Sequence, residues 1–89
     1  MTFKMSAQNG TVDIPLGKAL TIDGASVTAL RMREPTVEDQ LAMDAMTGSD
    51  STKELAMFAN LCQQTPDALK KLTLRDYKKV QAAFTGFLV

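Results

Sequence analysis

Hydrophobic positions follow two rhythms along the chain. Up to residue 33 they alternate with polar ones at the period of a strand, and from residue 36 they recur at helical spacings. Thr11-Val12-Asp13-Ile14 reads as a strand, with Pro15 suited to its end or to an edge. Gly17-Lys18 then predicts a turn into a second strand, Ala19-Leu20-Thr21-Ile22. Asp23-Gly24 is the dipeptide of a two-residue hairpin turn, because both central positions favour positive φ. The return strand spans Ser26–Arg33. Its alternation puts Thr28, Leu30 and Met32 on one face, with Leu30 and Met32 toward the core. Val27, Ala29, Arg31 and Arg33 take the other face. Ahead of the strands, Gln8-Asn9-Gly10 is polar and turn-prone, so residues 1–10 are expected to form a flexible arm.

Leu30–Asp39 joins the two rhythms. Pro35 stops the strand, Thr36 is a helix cap, and Asp39 three residues on approximates a capping box. Helix one is predicted over Val37–Met46 and is apolar on two sides: Val37, Leu41 and Ala45 on one, Ala42, Met43 and Met46 on the other. Ser51-Thr52-Lys53-Glu54 reads as a capping box for helix two, which runs to about Gln64. Its stripe is Leu55, Phe58, Ala59 and Cys62, widened by Met57 and Leu61. Thr65-Pro66-Asp67 opens a third helix of about two turns, with Leu69 and Leu72 inward. Thr73 caps the last helix, with Asp76 in the box position and Leu74, Tyr77, Val80, Phe84, Phe87 and Leu88 along one stripe. The pattern predicts an α+β fold: a small N-terminal antiparallel β-hairpin or three-stranded sheet, then three to four α-helices. Residues 1–89 are expected to make one domain, with the hairpin region at 11–34 and the helical region at 36–89.

Composition removes most chemistry. The 89 residues include no histidine, the commonest general base and metal ligand. Cys62 lies on an apolar stripe, where a thiol is inert, and a lone cysteine forms no internal disulfide. Glu38-Asp39 sit in a first helical turn, where acids stabilise the dipole. Gly48-Ser49-Asp50-Ser51 superficially resembles an acyl carrier protein's attachment site, but capping accounts for Ser51 and Glu54 together. No catalytic, cofactor-binding or metal-binding residue is expected. Ten basic and ten acidic residues cancel. That balance argues against a nucleic-acid partner, although helices three and four with Arg75, Lys78 and Lys79 have a helix-turn-helix-like spacing. No apolar run reaches 18 residues and the start lacks a signal peptide's apolar segment, so a cytoplasmic, membrane-free protein is expected.

What remains is a binding protein. Helix one is apolar on two sides and helix two is broadly so, more than a small domain covers, and methionine-rich surfaces suit adaptable contacts. The partner-binding surface expected from this is Met43, Met46, Met57 and Leu61, with Phe87 and Leu88 from the end of the last helix. Near-zero net charge also favours self-association, and a small self-assembling adaptor is the alternative reading.

Several segments resemble the phage tail assembly chaperone family of contractile-tailed, Mu-like phages and prophages. They include Leu20–Gly24, Val27–Leu30, Arg33–Asp39, Glu54–Ala56, Thr65–Asp67, Leu72–Tyr77 and Phe84–Leu88. Arg33-Glu34-Pro35-Thr36 and Leu74-Arg75-Asp76-Tyr77 are the specific pieces, and the methionine-rich helix one departs from the pattern. The resemblance implies a non-enzymatic protein of the host bacterial cytoplasm, absent from the mature virion. It would bind the tape measure protein, keep it soluble and promote assembly of the tail tube. The tail tube protein is the further partner it suggests, and a second copy of the chain is the partner that the charge balance favours.

Overall fold

Asp23 and Gly24 both take positive φ, 51° and 79°, and close the hairpin as their sequence requires. The computed structural model describes residues 5–6 and 10–89, with side chains from residue 10 onward. The strands are β1 (Met5–Ser6), β2 (Thr11–Ile22) and β3 (Ala25–Arg33). The helices are α1 (Val37–Asp44), α2 (Asp50–Leu61), α3 (Pro66–Leu69) and α4 (Leu74–Phe87). The strands form one antiparallel sheet in the order β1-β2-β3, giving the α+β layout expected. The arm expected at residues 1–10 falls mostly outside the described residues; within it, Met5 and Ser6 pair with Val12 and Thr11.

The turn expected at Gly17-Lys18 does not form. The chain runs through it as one twelve-residue strand carrying a bulge. Pro15 pairs with Ala29 and Leu20 with Val27, so residues 16–19 of β2 lie opposite Thr28 alone. A bulge of this kind removes amides from the ladder and leaves them to find other acceptors. Asp76, in the first turn of α4, supplies them. Its Oδ1 accepts from the Gly17 amide at 2.9 Å and its Oδ2 from the Lys18 amide at 3.1 Å. Lys79 Nζ lies 3.3 Å from Asp76 Oδ1 and donates to the Pro15 carbonyl at 3.1 Å.

The bulge also resets which residues face inward. Val12, Ile14, Leu30 and Met32 are buried as the alternation predicts, but Val27 packs against the core and Thr28 is exposed. On the outer face Arg31 pairs with Asp13 at 2.9 Å, in solvent, where such a bridge stabilises little.

The helices cover the inner face. Phe58 and Leu61 of α2, Leu69 of α3, and Val80 and Ala83 of α4 complete the core. Phe58 sits between Tyr77 and Phe84, with ring centroids 5.9 and 5.2 Å away. Thr36, Thr65 and Thr73 cap their helices as expected. Helix α2 instead starts at Asp50 behind Ser49, whose Oγ accepts the Thr52 amide at 3.1 Å. Glu54 is thereby freed from the expected box, and its Oε1 accepts from Tyr77 Oη and Gln81 Nε2, both at 2.9 Å. Helix α2 ends at Leu61 because Gln63 turns left-handed, with the Gln63 and Gln64 amides returning to Asn60 and Ala59. Helix α3 is one turn rather than two. Leu74, expected on the inward stripe of α4, is 81% exposed.

Asp76 is buried, and its carboxyl is held below the usual carboxylate range, first by the Gly17 amide and then by the Lys18 amide and Lys79. A carboxyl depressed on folding contributes stability that is complete above its unfolded value of about 3.9 and lost as pH falls through the lower folded value. Asp76→Asn is expected to cost about 2–3 kcal/mol near neutral pH. Melting temperature should fall by about 10 °C or more. The variant should also lose part of the parent's decline in stability below about pH 4, measured by thermal unfolding from pH 2.5 to 7.

Candidate partner-binding surface

Helix α1 has eight residues, too few to persist alone in water. It is held first at its base. Arg33, at the end of β3, donates Nη1 to Asp39 Oδ2 at 2.7 Å and Nη2 to Oδ1 at 2.8 Å. The same carboxylate accepts the Thr36 amide at 2.8 Å and the Thr36 hydroxyl at 3.0 Å, while Thr36 Oγ1 accepts the Asp39 amide at 3.3 Å. The guanidinium, and after it the Thr36 groups, hold the Asp39 carboxyl well below the usual range against the opposing effect of burial; the pairing raises Arg33 in turn.

From that anchor α1 meets the rest of the molecule along one narrow line. Asp39 is buried and Met43 half-buried, at the i, i+4 spacing of a single helix edge, while Met46, expected to end the helix, lies beyond its last residue, Asp44, and is half-buried there. Met43 packs on the core, and α1 runs beside α2. The opposite side of α1 is apolar and open: Val37 is 77% exposed and Leu41 62%. The methionine face expected to be the open one is thus turned inward, because the Arg33–Asp39 pair fixes the rotation of the helix.

Between α1 and the α2–α4 layer lie two depressions that share Gln40, Met57 and Phe84. One, of about 240 Å³, continues to Met43, Asp44, Asp50, Lys53 and Glu54. The other, of about 310 Å³, is edged by Pro35, Val37 and Leu88. Small-molecule sites usually enclose roughly 300–1,000 Å³ and bury most of their ligand. These are shallow and apolar-floored, suited to side chains projecting from a partner.

Of the six residues expected at a contact surface, Leu88 is 64% exposed and edges the groove, and Met43 lines its inner wall. Phe87 and Met46 are half-buried, with Phe87 packed on the core. Leu61 is a core residue, 1% exposed, a correction with a simple cause; Met57, 4% exposed, belongs to the core and to the groove floor at once. Helix α2 lies against α1, α3 and β3, so its C-terminal half is covered on several sides, and Met57 reaches the surface only as part of the groove floor. Val37 and Leu41 were visible in the sequence as one of two apolar faces. The signal that singles them out is the Asp39-Met43 edge anchored by Arg33.

Cys62 and Tyr77 serve the fold. Burial pushes the Cys62 thiol up to about 12. Burial and then the Glu54 hydrogen bond push the Tyr77 phenol above its usual range. Among the described residues no group of Cys, Asp and Glu is arranged to hold a metal, and no helix is long and apolar enough to cross a membrane.

Comparison with known proteins gives one match that spans most of the chain. The model of the family described as phage tail assembly chaperone proteins, E, or 41 or 14, matches residues 13–89. The chain belongs to this family. No curated protein and no solved structure matches it. The match takes in both carboxylate anchors, the bulge that Asp76 serves and the whole of the α1 groove. This tail assembly chaperone therefore has a protein partner in tail assembly, and the α1 face with the groove beside it is an open apolar feature of the described residues.

If Arg33 sets the position of α1, Arg33→Gln should loosen that helix selectively. Amides of residues 40–44 should exchange about tenfold faster or more by mass spectrometry, while those of β2 and α4 change little.

Proposed function

We propose that this tail assembly chaperone binds the tape measure protein, holds its apolar helical segments in solution, and yields them as tail tube subunits assemble around it. The observation that carries this reading is the exposed Val37–Leu41 face beside a groove floored by Met57 and Phe84. An extended helical partner laid there finds apolar contact along α1 and depressions for its side chains, the helix-in-groove mode of recognition. Methionine in the walls lets the surface adapt to successive segments of different shape. The open apolar area is small, which suits a complex that the assembling tube displaces.

Coexpression of the chaperone with its tape measure protein is expected to keep that protein soluble and to copurify the two. Val37→Asp with Leu41→Asp should remove copurification while leaving the chaperone's unfolding free energy within about 1 kcal/mol of the parent, since both side chains face solvent. A parent chaperone that neither associates with nor solubilises the tape measure protein would overturn the reading.

A further inference from the structure

The neutral total conceals a segregation of charge. Residues 34–67 carry seven carboxylates against Lys53 alone, whereas residues 68–89 carry five cations against Asp76 alone. Part of this is consumed inside the fold: Asp39 by Arg33, and Asp76 by Lys79 and the bulge amides. Part of what is left over lies at the groove. Asp44 and Asp50 line its inner depression, and neither has an ion-pair partner among the described residues. Gln40 Nε2 donates to Asp44 Oδ1 at 3.1 Å and steadies that carboxylate beside the groove. Glu54 lines the same depression, with one oxygen engaged by Tyr77 and Gln81. Among the described residues Lys53 is the only cation at this wall, against three carboxylates.

An apolar floor with uncompensated carboxylates along one wall specifies what fits it. We infer that the groove takes an amphipathic helix whose apolar stripe is flanked by lysine or arginine. Its apolar side chains enter the depressions on either side of Gln40, and its cations lie along Asp44, Asp50 and Glu54. A helix flanked by acids would meet the same wall with like charge. This rests on the reading of the groove as the chaperone's contact surface and adds the sign of charge on the segment it selects.

The test uses two synthetic helical peptides with one apolar stripe, flanked by lysine in one and by glutamate in the other. The full chaperone is titrated with each at low and high salt. The parent should bind the lysine-flanked peptide about tenfold more tightly at low salt, with the preference shrinking at high salt. Asp44→Asn with Asp50→Asn should reduce it to about threefold or less. Equal binding of the two peptides, or a preference that survives the double substitution, overturns the inference. So does an oligomer, seen by light scattering, that either this double substitution or Arg75→Glu with Lys78→Glu disperses; a second copy would then be the groove's occupant. Copurification with the tape measure protein that depends on Val37 and Leu41 but not on Asp44 and Asp50 refutes this inference and leaves the proposed function standing. Peptide selectivity without tape measure association does the reverse.

Discussion

The carboxylate of Asp76 joins the two halves of the molecule. The bulge in β2 turns the Gly17 and Lys18 amides out of the ladder, and the first turn of α4 places two carboxylate oxygens where those amides point. Without such an acceptor, the bulge would leave donors unsatisfied where the helical layer meets the sheet. With it, α4 is positioned along β2, and Val80 and Ala83 close over Ile14 and Leu30 in one core. Asp39 repeats the device at the other junction. It too is the third residue of a helix behind a threonine cap, and it ties that helix to the sheet through Arg33. The residues in the box position of these two helices therefore orient whole elements as well as supporting their first turns.

Function follows from how little holds α1 otherwise. A short helix anchored at its base and resting on one edge leaves its far side open, and in this chain that side carries Val37 and Leu41. Ordinary packing would turn such residues inward. The Arg33–Asp39 pair prevents it by fixing the rotation, which costs the fold some apolar burial and leaves an adhesive face beside a groove. On the proposed function, this is the face that a tape measure segment covers and later gives up.

Local chemistry was legible in the sequence wherever neighbouring residues decide it. Asp23-Gly24 closes the hairpin, Thr36, Thr65 and Thr73 cap their helices, and Leu30 and Met32 enter the core. The segments around Arg33–Asp39 and Leu74–Tyr77, which carried the family resemblance, hold the two anchoring carboxylates. The errors share a cause, which is dependence on distant partners. Gly17-Lys18 reads as a turn until an acceptor 58 and 59 residues away is known to hold those amides. Glu54 reads as a capping residue until Tyr77 and Gln81 are seen to claim it. Met57 and Leu61 read as the flank of a stripe, but helix α2 is covered on more sides than its periodicity requires. For α1 the periodicity gave two faces and no means of choosing between them; a salt bridge to the preceding strand makes the choice.

The central claim, that the outward face of α1 and the groove beside it are where the partner lies, is most directly tested by hydrogen exchange on the chaperone alone and with the tape measure protein bound. Binding there should slow exchange in α1 and in residues 84–88 and leave the hairpin turn at residues 22–26 unchanged. Protection confined to the hairpin or to β3, with α1 exchanging as in the free protein, would contradict it.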